Sequence, residues 1–532
     1  MSYKRNETQQ MTMFDSMFGL TAREQKALEH SWAKTFSEEI FPAIDEDRFS
    51  VLYSENASRP NTPVNVIIGA LILKELFDLS DDEVVENLML DFRYQYALHT
   101  TSFEEQPLSD KSLTRFRQRC YDYEQVQGKD LLHGCVTDLA AKIAKLMKID
   151  GRIRRMDSLM VEANIRKLSR MELLYRCVSK LVIYLKNNGF EDRIFPMDHY
   201  TEPDDFNRFI YHSRSTETDE RIAILLNDSD TLLSRCDDLE DVTEYQLLLR
   251  CVSEQTIVEN GSRRLKTKKD GLLGSSILQS PVDPDATYRE KAGKAHRGYS
   301  ANFEEAVGKN GSVVMDYQFE SNNASDSALL KDRLEKLDPM QEPVVLVTDG
   351  AYCGTGNTEL AASKNIELVT TTLTGRKTDV VMGAFAFNED GSKVLACPAG
   401  HQPKSCTYIK QSGMCQISFD REICAGCPYQ QHCHPKVFKR VSKVTVSKTM
   451  RERARMQARM NTERFKYLAR IRNGAETIPS LLKNEYGVNQ MLVHGKTRCK
   501  FFFGCKIAAI NFRKLFGFRK GLGHYAPNPV LS

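Results

Sequence analysis

No apolar run in this 532-residue chain is long enough to cross a bilayer, which takes about 20 residues. The best, Val64 to Phe77, is interrupted by Asn65, Lys74 and Glu75. The first ten residues are polar and lack the apolar core of a signal peptide, so the sequence reads as cytoplasmic. A dominant charge is missing too: 74 Lys and Arg against 71 Asp and Glu leave +3, and the net charge does not announce a polyanionic partner. A disulfide framework is also absent. Of 14 cysteines, six fall within 397–433, a clustering that points to metal before disulfides in a long cytosolic chain. There is no internal repeat. What remains is an ordinary composition, 41% hydrophobic and 27% charged, in a chain long enough for about two to four domains.

The charge is unevenly placed. Residues 436–472 hold many Lys and Arg and few acids. Residues 494–520 hold Lys496, Arg498, Lys500, Lys506, Arg513, Lys514, Arg519 and Lys520 with no acid, whereas Ser80-Asp81-Asp82-Glu83 is acidic. This asymmetry predicts a basic groove beside a neutral body, or else a solvated basic face.

Residues 1–60 read as a helical lead-in, and 61–148 as a set of helices. The first carries an apolar stripe from Val66 to Leu76. Ser80 with Glu83 makes a capping box for the second. Ser109 opens a third, on which Arg115, Arg117 and Arg119 are expected to project outward. Short capped helices followed by a basic one suit a helix-turn-helix-like DNA-binding module, and a plain helical bundle fits equally well. Residues 168–275 read as a helical insert: Arg170 to Asn188, Asp204 to Tyr211, Thr218 to Leu226, Thr243 to Glu254. Gly308-Lys309-Asn310-Gly311 marks a hairpin between strand-like runs. The tail 517–532 reads as disordered.

Two aspartates belong to apolar strand-like runs: Asp157 to Ile153–Val161, and Asp349 directly after Val344–Thr348. Such positions gather active sites in α/β sheets, although a lone Asp there is commonly a turn former. Downstream stand Arg472, Glu476 and Lys483, spaced to share a helix face if the helix is continuous. Asn473-Gly474 is expected to break it, and Pro479 suits a first helical turn, so Glu476 is placed near a helix start. A salt-bridged surface helix is the plainer reading. Three carboxylates from distant segments can hold two divalent cations, which activate water and stabilise a leaving oxygen in phosphodiester cleavage. In the cysteine cluster, Cys424-x2-Cys427 is a hook that aims two thiolates at one tetrahedral ion. Cys397, Cys424, Cys427 and Cys433 are the expected zinc ligands, with Cys406, Cys415, His401 and His434 as substitutes. Buried structural thiols are the alternative. The other eight cysteines read as packed or inert. Lys291, Lys294 and Arg297 are candidates for phosphate contact, and His296 is given no role.

These stretches together resemble bacterial insertion-sequence transposases of the DDE, ribonuclease-H-like superfamily. The resemblance rests on Leu79-Ser80-Asp81 and Ser112-Leu113-Thr114-Arg115-Phe116-Arg117, on Met156-Asp157-Ser158 with Ala163-Asn164, and on Asp283-Pro284-Asp285-Ala286 before Gly298-Tyr299. It rests further on Val347-Thr348-Asp349-Gly350-Ala351-Tyr352, on Arg472-x3-Glu476-x6-Lys483, and on Ala508-Ala509-Ile510-Asn511-Phe512-Arg513. The signature Tyr three residues before the Arg is Ala469 here. The resemblance implies an α/β, ribonuclease-H-like catalytic domain over 149–516. It would be interrupted by the helical insert and by a Cys-rich insert at 397–434, and preceded by an all-α DNA-binding domain. It implies Asp157, Asp349 and Glu476 on Mg²⁺ or Mn²⁺, Arg472 and Lys483 on DNA phosphates, and double-stranded DNA ends paired by a homodimer. A homologue that binds DNA without cutting it, and a nuclease without strand transfer, are the alternatives.

Overall fold

The computed structural model describes residues 1–6, 15–56, 59–103, 105–211, 217–259, 261–271, 274–291, 293–371 and 378–522. The chain is mixed α/β with a helical N-terminal region, and it forms two compact units. One holds 1–151, 157–329 and 477–532; the other holds 152–156 and 330–476. Among the described residues, no helix is long and apolar enough to cross a membrane.

The first unit is built around the helix Val64–Phe77, in which every residue but Phe77 is buried. The sequence suggested a one-sided stripe. A helix apolar nearly all round is instead a central one, and its two charges are neutralised in place: Lys74 lies 3.5 Å from Asp81, and Glu75 pairs with Lys506. Next, Ser80 caps Asp81–Leu90 in the expected box, its hydroxyl accepting from the Glu83 amide at 3.1 Å while Glu83 accepts from the Ser80 amide at 2.7 Å. Ser109 caps Asp110–Gln127, and Leu131–Leu146 follows. These helices share one core with a sheet and with the closing helix Lys496–Arg519, through residues such as Phe116, Leu139, Phe303, Phe503 and Phe512.

Strand β1 (Ile153–Glu162) enters this unit at Asp157. After a run of helices comes a small hairpin, β2 (Thr256–Glu259) with β3 (Ser262–Leu265). Then come β4 (Thr287–Lys291), β5 (Lys294–Gly308) and β6 (Gly311–Ser321), each antiparallel to the next. The turn between β5 and β6 is Lys309-Asn310, with Gly308 opposite Gly311, as the glycine pattern predicted. β5 runs beside β1. Gly298 is required there: its φ is +144°, and a Cβ would lie 2.3 Å from the Val161 carbonyl oxygen. The stretch 168–275 has a core of its own, built from Arg170–Asn187, Thr218–Arg235 and Thr243–Gln255. The β2–β3 hairpin within it was not anticipated, although Asn260-Gly261 is a hairpin signal.

In the second unit, Ile153 to Arg155 of β1 pair in parallel with β7 (Val344–Thr348), and β7 pairs in parallel with β8 (Ile366–Thr370). Met156, Leu330, Leu334, Leu346, Tyr352 and Ile366 form the core around them. Beyond lie the short pair β9 (Ala386–Phe387) and β10 (Val394–Ala396). A four-stranded antiparallel sheet follows, in the order β11 (Ser405–Ile409), β12 (Met414–Asp420), β14 (Val441–Val446), β13 (Lys436–Val437). Its inner face packs Cys415, Ile417, Phe419, Val444 and Val446 against Phe385 and Ala454. The helices Lys448–Arg459 and Glu463–Asn473 complete this unit. Of the expected tail, 517–519 continue the closing helix, and 523–532 lie outside the described residues.

Candidate functional site

Asp349 directly follows β7, where its backbone is extended. Its Oδ1 accepts from the Ala351 amide at 2.8 Å, so it caps the turn Gly350–Tyr352. That leaves Oδ2 to face Arg472, whose Nη2 is 3.7 Å away. The same guanidinium reaches Glu476 Oε1 from Nη1 at 3.2 Å. Arg472 is 16% exposed, Asp349 32% and Glu476 73%. One largely buried cation thus joins two of the three predicted carboxylates, and Glu476 is open to solvent.

The backbone that presents Glu476 is held by Arg155 on β1. Its Nη1 donates to the Ile471 carbonyl at 2.9 Å, near the end of Glu463–Asn473. The chain then makes the short turn Gly474–Glu476 before the helix Thr477–Asn484, so Glu476 stands just ahead of a helix and Pro479 lies in that helix's first turn. A Cβ at Gly474 would lie 2.2 Å from Arg155 Nη1, the end of a side chain that would have to move. Gly474→Ala should therefore force Arg155 off Ile471. A hydrogen bond to a charged group is worth about 1.5–3 kcal/mol. We expect a lower melting temperature, which thermal unfolding of the variant beside wild type checks.

Asp157 lies mid-strand on β1, not at its end, and is 9% exposed. Its Oδ1 accepts from the Ser158 amide at 2.9 Å, and Ser158 Oγ donates to Asp326 at 2.9 Å. Asp157 belongs to the first unit, whereas Asp349, Arg472 and Glu476 belong to the second. Asp326 is a buried carboxylate that the sequence did not single out.

The second unit also gathers the four expected thiols. Cys397, Cys424, Cys427 and Cys433 line one pocket with His401. Two tight turns aim them. Gly400 N–H donates to the Cys397 carbonyl at 2.8 Å, and Cys427 N–H to the Cys424 carbonyl at 3.4 Å. The Tyr429 amide donates to Cys427 Sγ at 3.4 Å. Burial, then repulsion from the Cys427, Cys397 and Cys424 sulfurs, pushes the Cys433 thiol up to about 11. Cys406 and Cys415 lie elsewhere: Cys415 Sγ donates to the Ser392 carbonyl at 3.4 Å, and the Val394 amide donates to Cys406 Sγ. Of the two histidines named as substitutes, only His401 is among the residues lining the pocket. Seven of the other eight cysteines are buried; Cys353 is exposed. Among the described residues, no group of three or more His, Cys, Asp or Glu is already drawn into metal-holding geometry. The donor sets nonetheless suit two kinds of ion: carboxylate oxygens a hard divalent cation, and four thiols zinc.

Residues 396–516 match the family model of a transposase DDE domain, and residues 25–119 match a transposase domain known as DUF772. Both matches support reading the chain as an insertion-sequence DDE transposase. The first match takes in the thiol pocket, Arg472 and Glu476; the second ends at Arg119. No curated protein matches. Among solved structures, a piggyBac transposase synaptic complex with hairpin DNA is 7% identical, covering 97% of this chain and 78% of that one. Its TM-score of 0.30 carries no argument.

The chain's cations are not all where the sequence put them. Arg115 is exposed, but Arg117 is buried, bonded to Asp81 and set over the Phe502 ring at 5.4 Å. Arg119 lies over Tyr53 at 4.8 Å. The three do not form one outward row, because successive odd positions on a helix diverge by about 200°. The closing helix departs further from expectation. Lys496, Lys500, Lys506, Arg513, Lys514 and Arg519 pair with Glu320, Glu124, Glu75, Glu485, Glu305 and Glu39, and Arg498 lies over Tyr121. This basic run is a set of internal ties, since a cation taken out of water needs a partner. Lys483 is exposed on Thr477–Asn484. Lys291 and Lys294 are exposed where β4 meets β5, Arg297 lies over Tyr288, and His296 Nδ1 is 2.5 Å from Glu162.

Proposed function

We propose that this transposase cuts DNA at the ends of an insertion sequence and joins those ends to target DNA. Both steps would occur at a site made by Asp157, Asp349 and Glu476 on a ribonuclease-H-like core. The observation that carries the reading is Arg472 standing between Asp349 and Glu476: two acids from distant segments converge where one positive charge already sits. The three carboxylates would hold Mg²⁺ or Mn²⁺, which supplies activation of water and stabilisation of the leaving oxygen. In the first reaction a water oxygen bonds to phosphorus, the 3′-oxygen leaves, and it takes up a proton to become a 3′-hydroxyl. In the second, that hydroxyl bonds to a target phosphorus, its proton is lost, and a target 3′-oxygen leaves. No protein nucleophile is consumed.

Arg472 balances the carboxylates and, with Lys483, grips phosphate. A guanidinium that makes single contacts to each acid can exchange them for phosphate oxygens. The N-terminal helices would recognise the element's ends, and a homodimer would pair two of them. Cys397, Cys424, Cys427 and Cys433 would hold a structural zinc ion. A silent DNA-binding homologue is the second reading, favoured by Ala469 in place of the signature Tyr.

The test is a plasmid carrying the element's ends, incubated with Mg²⁺ or Mn²⁺ and either wild type or Glu476→Ala. Cleavage at the ends by wild type alone is expected. Cleavage by both would move the third carboxylate elsewhere. Binding without cleavage by either would select the silent homologue.

A further inference from the structure

The sheet β11–β14 has a face that the reading above leaves without a use. Strand alternation sends Cys415, Ile417, Phe419, Val444 and Val446 into the core, so the opposite residues point out. The pairing sets Lys436 opposite Lys443, Lys443 opposite Ser418, and Ser418 opposite Ser405. One row across four strands therefore carries two ammonium groups and two hydroxyls. Ser405 Oγ and Ser418 Oγ are 2.6 Å apart, as two side chains on one face must be. At the end of this row the turn between β13 and β14 adds Lys439 and Arg440, both exposed, and Phe438, 51% exposed with Lys443 Nζ 5.8 Å from its ring centroid.

The one acid of β12 on this face, Asp420, is paired with Lys404, which leaves the cations of β13, β14 and their turn without a carboxylate. From His434 to Ser447 the chain carries Lys436, Lys439, Arg440 and Lys443 and no Asp or Glu. None of the four forms an ion pair with any described residue. In the closing helix, by contrast, six cations have carboxylate partners. Four like charges on and beside one hairpin repel one another, and a polyanion relieves that repulsion. Lys, Arg and Ser side chains are those that contact DNA phosphates without reading sequence. β14 leads directly into Lys448–Arg459 and on to the helix that carries Arg472, within one unit.

We propose that the outer face of this sheet, with the Lys439-Arg440 turn, is a sequence-independent docking surface for the phosphate backbone of duplex DNA. The proposal rests on the reading of DNA as this protein's substrate. It assigns the second unit a grip of its own, apart from recognition of the element's ends.

The test uses the full chain and the variant Lys439→Ala/Arg440→Ala/Lys443→Ala. Binding is followed by fluorescence anisotropy over a salt series, on a duplex of the element's end and on an unrelated duplex of equal length. We expect affinity for both to fall by a similar factor, about tenfold or more. The slope of log affinity against log salt should shrink by about three, near one for each phosphate that is no longer neutralised. An unchanged melting temperature separates this from misfolding; Lys436→Gln/Lys443→Gln, on strands β13 and β14, gives a second reading with a slope change of about two. Unchanged affinity and slope in both variants, while wild type still binds and cleaves, would overturn the surface and leave the enzyme reading intact. Weakening confined to the element's end would overturn sequence independence. Weaker binding of polyglutamate but not of DNA would assign the surface to an acidic protein. Failure of wild type to bind either duplex would overturn the docking surface together with the enzyme reading.

Discussion

Asp349→Asn should lower cleavage at the element's ends by about a thousandfold or more while leaving duplex binding and thermal stability close to wild type. The substitution keeps shape. An Asn Oδ1 still accepts from the Ala351 amide, so the cap on Gly350–Tyr352 survives, and Arg472 keeps Glu476. What disappears is one negative charge and one oxygen ligand. Lewis-acid stabilisation by a bound ion is worth several kcal/mol, and each 1.36 kcal/mol is tenfold in rate. Single-turnover cleavage, anisotropy and a melting curve, run on the same preparation, decide between roles. Loss of cleavage alone fits a metal ligand. A fall in melting temperature of several degrees with cleavage retained would make Asp349 a turn former only.

The second large effect concerns the thiol pocket. Wild type should contain one zinc per chain, and Cys424→Ser/Cys427→Ser should contain almost none. Structural zinc contributes an apparent ~10–16 kcal/mol in small zinc domains at neutral pH. Here the β11–β14 sheet also has the core of Phe385, Phe419 and Val444, so part of the fold has its own support. The expected result is local: loss of hydrogen-exchange protection across 397–446, with the helices of the first unit still protected. Metal analysis and exchange mass spectrometry measure both. Because the Cys433 thiol is held up near 11 without metal, ligation must expel its proton. Zinc affinity should therefore fall as pH falls, and a chelator should strip the protein faster at pH 6 than at pH 8. Full protection in a zinc-free variant would reduce the four cysteines to packing.

What could be read from the sequence was local. The Ser80–Glu83 box, the Gly308–Gly311 turn and Asp349 at the end of β7 follow from patterns a few residues long. So does Glu476 just ahead of a helix, set by Asn473-Gly474 and Pro479. What could not be read depended on partners far along the chain. Lys506 looks like a surface cation until Glu75 is beside it, and Arg117 until Asp81 is. A run of positive residues carries no sign of the acids that face it, which is why the closing helix resembled a basic groove and is a packed strut. Val64–Phe77 read as carrying one apolar stripe, and the elements that cover its other faces lie far along the chain. Asp157 was expected at or near a strand end, but β1 runs on to Glu162 and leaves it mid-strand. The Arg472–Asp349 contact has no trace in either segment alone.

Cutting is common to nucleases; joining is what the account claims in addition. The most direct measurement supplies a pre-cut element end bearing a free 3′-hydroxyl, a supercoiled target and Mn²⁺, with wild type or Glu476→Ala, and scores covalent end–target products. The account predicts joined products with wild type and none with Glu476→Ala. Wild type that cuts intact ends but never joins the pre-cut end would make this chain a metal-dependent nuclease and contradict the account.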